Sequence, residues 1–109
     1  MKTLIQKALD SSFDYKSYSE HIDSLYQKGE TTNGDTSDSM LKYTELNRAR
    51  MNKWDKRYSP SKEVIKAISS IDSKEIWMVL TEGWCGDAAQ NLPMIIKMAA
   101  TNSNIEVKM

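Results

Sequence analysis

The chain has 109 residues, of which 39% are hydrophobic and 28% are charged, so it can form one modest core but not a multidomain enzyme. Its 15 basic and 15 acidic residues balance, which excludes the strongly basic surface typical of nucleic-acid-binding proteins. One cysteine and one histidine exclude an intrachain disulfide and a structural zinc site, and we expect neither a metal nor another cofactor.

Signals for membrane insertion and secretion are missing from the sequence. No apolar segment approaches the roughly 20 residues that a membrane-spanning helix needs. Residues 1–12 also lack the apolar segment and the small-residue cleavage site of a secretory signal. We therefore expect a cytoplasmic protein that binds neither membranes nor nucleic acid.

Apolar periodicity predicts three helices in the first half of the chain. The first ends near Asp10, the second runs from about Phe13 to a stop at Gly29, and the third runs from residues 37–39 to about Tyr58. The apolar stripe of the third helix comprises Met40, Tyr43, Leu46 or Asn47, Met51, Trp54 and Tyr58. The run at 30–38, ETTNGDTSD, has no apolar residue, which predicts an exposed loop outside the core.

Charge separates the second predicted helix from the third. Residues 10–38 hold seven acidic residues and two lysines, whereas residues 40–66 hold eight basic and three acidic residues. Segments of opposite sign can attract each other across a helical hairpin, and the alternative, a nucleic-acid patch, lacks interleaved aromatic residues. His21 has no second ligand or nucleophile nearby in sequence, so we expect it to have a surface or hairpin-packing role.

The second half of the chain has the pattern of a strand-helix-strand unit. Ser59 and Pro60 predict the N-cap and first residue of a fourth helix, which buries Val64, Ile65 and Ile68. The continuous apolar run Ile76–Leu80 predicts a central strand that is covered on both faces. A helix over 87–100 and an alternating strand over 105–109 complete the unit.

The segment WCGDAAQNLP, from Trp84 to Pro93, is the most informative part of the sequence. It places the thiol of Cys85 in a turn between a buried strand and a helix. Unpaired amides and the positive end of the helix dipole favour the thiolate there, which is the nucleophilic form. Because Trp84 can shield one side of the sulfur and Gly86 leaves the approach open, we expect a reactive or partner-facing thiol rather than an inert core residue.

This segment resembles the thioredoxin superfamily. The resemblance depends on the apolar strand followed by Trp84, Cys85 and Gly86, on the position of Ala88, and on Pro93 at the offset of the proline in the thioredoxin active-site helix. The chain is most similar to bacterial thioredoxin-like proteins with a helical N-terminal extension. The resemblance implies a partial thioredoxin-like α/β fold, with the helical extension at 1–74 and the N-terminal part of the thioredoxin-like domain at 75–109.

Three positions differ from the dithiol thioredoxins. Ala88 stands where the second, resolving cysteine would be, so the chain cannot resolve a mixed disulfide by that route. Val79 stands where thioredoxins hold a buried acid that assists proton transfer to the second cysteine. Asp87 replaces a proline, and its carboxylate opposes the Cys85 thiolate while favouring the helix start.

The resemblance implies monothiol thiol-disulfide exchange through Cys85, with release by an external thiol from a protein or a low-molecular-weight compound. The alternative is a non-catalytic thioredoxin-like binding module with a relic cysteine. A thiol peroxide sensor is a third interpretation, although the motif has no Arg or Thr beside the cysteine. Whether the protein is an enzyme stays open at this point.

The resemblance also predicts how much of the thioredoxin fold the sequence contains. In the family, the fold continues after the second strand with a helix, a loop bearing a cis-proline, two antiparallel strands and a final helix. We therefore expect a truncated chain or a fragment of a longer thioredoxin-like protein. Two parallel strands expose unpaired backbone groups and apolar surface, so we also expect self-association through the strand edges or the exposed sheet face.

Overall fold

The structure, a computed structural model, describes residues 3–109. Its elements in chain order are α1 (Leu4–Asp10), α2 (Tyr15–Gln27), α3 (Asp38–Arg57), α4 (Lys62–Ser69), β1 (Glu75–Met78), α5 (Gly86–Ala99) and β2 (Ile105–Lys108). Each predicted helix and strand is present, and most ends agree to within about two residues. None of the helices in the described range is long and apolar enough to cross a membrane.

Short polar side chains define where the helices begin. The Ser37 hydroxyl accepts a hydrogen bond from the Met40 amide and caps α3, as predicted. The predicted start of α4 is wrong, because Ser61 rather than Ser59 is the N-cap and accepts from the Val64 amide at 3.2 Å. Pro60 therefore precedes the helix instead of being its first residue.

The helix α2 packs against the basic helix α3, as in the predicted helical hairpin. The Arg48 guanidinium donates to the Asp23 carboxylate at 2.6 Å and lies over the Tyr26 ring at 4.6 Å. The ion pair is partly exposed, so it contributes at most about 1 kcal/mol. The ring of His21, which lies on α2, stacks on Phe13 with 4.8 Å between the ring centroids.

The core lies between the hairpin and α5. It contains Tyr18 and Ile22 from α2, Met51 from α3, and Ala89 and Leu92 from α5. The most extensive contact between two elements is that of α3 with α5, so the strand-helix-strand unit packs mainly on α3.

The buried face of α3 is more polar than predicted. Tyr43 and Leu46 are 52% and 46% exposed, whereas Thr44 and Asn47 are almost fully buried. Burial of polar side chains is tolerated because both are hydrogen-bonded: the Thr44 hydroxyl donates to the Met40 carbonyl at 2.9 Å, and Asn47 bonds to Gly83. The prediction that Tyr43 belongs to the apolar stripe is therefore wrong. The face of α4 also differs, because Ile65 is 39% exposed.

The two strands are parallel and joined by α5, as the strand-helix-strand pattern predicts. Glu75 pairs with Ile105 and Met78 pairs with Lys108. The prediction that β1 is covered on both faces is wrong. Val79 packs against the core, whereas Ile76, Met78 and Leu80 are 52%, 37% and 84% exposed on the opposite face.

One edge of the sheet has an additional partner from the N-terminal half. The Phe13 amide donates to the Met109 carbonyl at 2.6 Å, and the Met109 amide donates back to the Phe13 carbonyl at 2.8 Å. This reciprocal exchange is the pattern of an antiparallel pair. The segment between α1 and α2 thus covers the end of β2, whereas β1 has no such partner among residues 3–109.

Candidate functional site

Cys85 lies where the loop after β1 enters α5. It is the N-cap residue of that helix, and its thiol makes no capping hydrogen bond. Its amide donates to the Glu82 carbonyl at 3.0 Å, and its carbonyl accepts from the Ala89 amide at 3.1 Å. The backbone of Cys85 is therefore held on both sides, while its half-buried sulfur stays available.

The start of α5 has the electrostatics expected for a nucleophilic thiol. The first amides of a helix have no partner within the helix, and the helix dipole places partial positive charge there. Asp87 is exposed in the first turn, where water screens its effect on the cysteine while the carboxylate still favours the helix start. This position can therefore stabilise negative charge on the Cys85 sulfur.

An open groove of about 590 Å³ borders the cysteine. We call it the cysteine groove; its walls include Ala8, Ser12, Leu80, Thr81, Trp84 and Cys85. The indole nitrogen of Trp84 is buried and has no hydrogen-bond partner in the described part of the chain. The groove has room for an extended peptide segment or a small thiol compound, and it brings such a molecule next to the sulfur.

Two residues distant in sequence hold the turn that precedes the cysteine. The Thr32 hydroxyl accepts from the Gly83 amide at 3.1 Å and donates to the Glu82 carboxylate. The Asn47 side-chain amide donates to the Gly83 carbonyl at 3.1 Å. Both peptide groups of Gly83 are thus held by side chains, and we call Thr32 and Asn47 the turn clamp.

No local sequence pattern predicts the turn clamp. The 30–38 segment is mostly exposed and outside the core cluster, as predicted, but Thr31 is 4% exposed and Thr32 contacts the turn. The hydroxyl of Thr31 donates to the Asp35 carbonyl within the loop at 2.6 Å, which compensates its burial. No local pattern marks this contact, because about fifty residues separate Thr32 from Gly83.

Arg50 brings a positive charge to the start of α5. Its guanidinium donates to the Asn47 side-chain oxygen at 3.0 Å. A Cβ on Gly86 would lie 3.3 Å from the same Arg50 nitrogen, so the guanidinium packs directly on the first residue of the helix. A Cβ at position 86 would displace the flexible end of Arg50 by only a few tenths of an ångström, so Gly86 favours this close approach, and α3 supplies the positive charge that the motif lacks.

A buried phenol, that of Tyr18, contacts the loop between β1 and α5. Tyr18 is 5% exposed, and its hydroxyl donates to the Thr81 hydroxyl at 3.5 Å. Burial raises the pKa of Tyr18, the Thr81 hydrogen bond lowers it, and the nearby Glu82 carboxylate raises it further. Tyr18 is consequently a protonated, neutral group beside the site at physiological pH.

The structure brings only some of the predicted site residues together. Trp84, Gly86 and Asp87 adjoin Cys85, and Ala88 is half-buried in the first turn of α5. Pro93 is fully buried in the middle of α5, where it offers no amide hydrogen to the Ala89 carbonyl. Pro93 therefore shapes the helix rather than the groove, and the functional roles of all six residues stay predictions.

Metal binding has no support in the described residues, which contain no group of three His, Cys, Asp or Glu side chains able to hold an ion.

Comparison with known proteins agrees with the geometry. A family model described as Thioredoxin matches residues 33–109, a range that begins before α3 and includes the whole strand-helix-strand unit. No curated protein and no solved structure gives a significant match. The match covers well over half of the chain, and the mixed architecture with its parallel strand pair is that of a partial thioredoxin-like fold. The chain therefore belongs to the thioredoxin family.

Proposed function

We propose that this protein carries out monothiol thiol-disulfide exchange through Cys85. The observation that carries the proposal is the placement of the Cys85 sulfur, which makes no capping bond at the start of α5 and borders an open groove. The chain has no second cysteine, so an external thiol must complete the reaction.

The exchange consists of two displacements. The Cys85 thiolate attacks one sulfur of a partner disulfide, a mixed disulfide forms, and the second partner sulfur leaves as a thiolate that takes up a proton from water. An external thiolate then attacks the partner sulfur in the mixed disulfide and releases the Cys85 thiolate. The partner gains the external thiol in disulfide linkage, and Cys85 returns to its starting oxidation state.

The residues around Cys85 have separate roles in this proposal. The first amides of α5 and the Arg50 guanidinium stabilise the thiolate before attack. Trp84, which lines the groove together with Cys85, limits the access of water on its side of the sulfur. The turn clamp keeps the cysteine at a constant position relative to the groove.

The partners in this proposal are protein disulfides or low-molecular-weight thiols and disulfides. The cysteine groove accommodates either, because it is open and has both apolar and hydroxyl-bearing walls. We place the reaction in the cytoplasm, where a pool of small thiols can regenerate Cys85.

The test is the reaction of the reduced, folded protein with glutathione disulfide, followed by mass spectrometry. We expect one glutathione to be added at Cys85, faster than to the same chain unfolded in urea, and to be removed again by excess glutathione. A Cys85→Ser variant provides the control and should gain no mass. Equal rates in the folded and unfolded chains would contradict the proposal.

The alternative is a non-catalytic binding module, and the exposed apolar side chain of Leu80 at the groove favours it. In that case Cys85→Ser would bind a partner protein as well as the native chain does. Loss of partner capture in Cys85→Ser, together with recovery of a mixed disulfide from the native chain, would exclude it.

Arg50 provides a more specific prediction. We expect Arg50→Met to slow the reaction of Cys85 with glutathione disulfide about two- to fivefold at neutral pH, because a charge beside a partly exposed group contributes up to about 1 kcal/mol. Arg50→Lys should retain most of the rate. Lys53→Met, on an exposed position of the same helix, is the matched control and should leave the rate unchanged. The same loss in both methionine variants would show that the effect does not come from the site.

A further inference from the structure

A hydrogen bond between two side chains joins α3 to α5 one helical turn beyond Arg50. The Trp54 indole nitrogen donates to the Gln90 side-chain oxygen at 2.6 Å, and both side chains are half-buried. Gln90 belongs to the segment from Trp84 to Pro93, but it is not among the residues that line the cysteine groove. Its side chain therefore contacts α3 and not a molecule in the groove.

This hydrogen bond is the last of three regularly spaced contacts between α3 and the segment around Cys85. In chain order, the contacts are those of Asn47 with Gly83, Arg50 with Gly86 and Trp54 with Gln90. In each pair 36 residues separate the two partners. Residues three and seven positions apart lie on one face of a helix, so the constant separation means that α3 and α5 run in the same direction along this contact.

Pro93 weakens the connection between the first turns of α5 and the rest of that helix. Proline offers no amide hydrogen to the Ala89 carbonyl, so the hydrogen-bond ladder of α5 lacks one bond there. Cys85 and Gln90 both precede this position. Ala89 and Leu92 bury the first turns against the core, but apolar burial is a non-directional force. The direction of the first turns therefore depends on their polar contacts with α3.

We infer that Trp54 and Gln90 are positioning residues for Cys85. Their hydrogen bond holds the first turns of α5 against α3, so that the helix start and the Arg50 guanidinium lie beside the thiol. Neither side chain lines the groove, so both act through the placement of α5 and not by contact with a substrate. The inference rests on the proposed function, in which the Cys85 thiolate attacks, but the state of the thiol can be measured without a disulfide partner.

Three variants isolate this hydrogen bond. Trp54→Phe removes the indole donor and keeps an aromatic ring, Gln90→Met removes the acceptor at similar side-chain length, and the double variant removes both. We expect each variant to slow the alkylation of Cys85 by iodoacetamide at neutral pH about two- to fivefold, the scale on which loss of one hydrogen bond changes an equilibrium. The double variant should be no slower than either single variant, because all three lack the same bond.

Trp77→Phe is the matched control. The Trp77 indole also donates to a side-chain oxygen, that of Glu75, at 3.0 Å, but both of these residues lie on β1. The control variant therefore loses an indole hydrogen bond of the same kind away from the contact between α3 and α5. We expect it to keep the native alkylation rate at Cys85, and circular dichroism checks that every variant folds.

The ultraviolet absorbance of the thiolate separates positioning of the thiol from a purely structural role. Each variant is compared with the same variant carrying Cys85→Ser, so that the difference spectrum reports this thiolate alone. We expect the thiolate absorbance at neutral pH to be lower in Trp54→Phe and in Gln90→Met than in the native chain, because the helix start and the Arg50 charge stabilise the thiolate less well.

Hydrogen exchange shows where α5 is loosened. The Ala89 amide binds the Cys85 carbonyl at 3.1 Å, and the Ala100 amide lies beyond Pro93 at the end of the helix. In Trp54→Phe we expect exchange to be faster at Ala89 and unchanged at Ala100, because only the first turns lose their contact with α3.

Three results would overturn the inference. They are additive slowing in the double variant, native alkylation and thiolate absorbance in both single variants, and equally faster exchange at the two amides. Slowing in Trp77→Phe equal to that in Trp54→Phe would also overturn it. Failure of Cys85 to react with glutathione disulfide would instead contradict the proposed function, because alkylation and thiolate absorbance require no disulfide.

Discussion

The replacement Leu92→Ala is expected to lower the free energy of unfolding by about 2 to 5 kcal/mol. Leu92 is 1% exposed and packs within the core formed by Tyr18, Ile22, Met51 and Ala89. Removing three carbon atoms there forfeits apolar burial and leaves a cavity that helices from three parts of the chain cannot all close. A domain of this size has a total stability of about 5 to 15 kcal/mol, so the variant would lose a large fraction of it.

Urea unfolding followed by circular dichroism measures this effect. Leu46→Ala is the matched control, because Leu46 is 46% exposed on α3 and should cost less than about 1 kcal/mol. Similar losses in the two variants would contradict this prediction, because they would show that Leu46 packs in the core instead of lying on the exposed face of α3.

The comparison between Leu46 and Asn47 shows how far the sequence predicts the fold. Periodicity locates α3, but the two neighbours are only about 100° apart around the helix, so apolar character alone favours burying Leu46. The structure instead buries Asn47, because its amide finds the Gly83 carbonyl and the Arg50 guanidinium. That choice depends on Gly83, which comes from the loop before α5, and no local pattern on α3 specifies this partner.

For the strand β1 as well, the sequence predicts the element but not its tertiary contacts. Five consecutive apolar residues predict a strand with two apolar faces, and the strand is present. The pattern does not say what covers those faces, and in this chain only the face with Val79 is covered. An apolar run thus predicts the strand and the need for a covering partner, whereas the identity of that partner depends on tertiary contacts.

For the site, the sequence predicts the nucleophile but not its surroundings. Cys85 at the start of α5 follows from the motif, since a thiol between a strand and a helix is a local feature. Thr32, Asn47 and Arg50 contact the segment from Gly83 to Gly86 from positions 36 to 51 residues earlier in the chain. The contacts of Asn47 and Arg50 arise only when α3 packs on α5, so the helix pair positions the thiol as well as the core.

Removal of the turn clamp should therefore affect stability and reactivity together. We expect Asn47→Ala to lower the free energy of unfolding by about 1 to 3 kcal/mol, because the buried Gly83 carbonyl loses its donor. We also expect glutathionylation of Cys85 to slow severalfold, because Arg50 loses the side-chain oxygen that holds it against Gly86.

The control for Asn47→Ala is Asn52→Ala, on the exposed side of the same helix. Both variants gain the same helix propensity from alanine, so the difference between them reports the clamp alone. Hydrogen exchange of the Gly83 amide measures the effect on the turn itself. In Asn47→Ala, Thr32 still accepts from this amide. Exchange should nevertheless be faster, because the Gly83 carbonyl is no longer held. If Asn47→Ala lost stability but kept the native rate at Cys85, the clamp would hold the fold without positioning the thiol. If both variants behaved alike, Asn47 would hold neither.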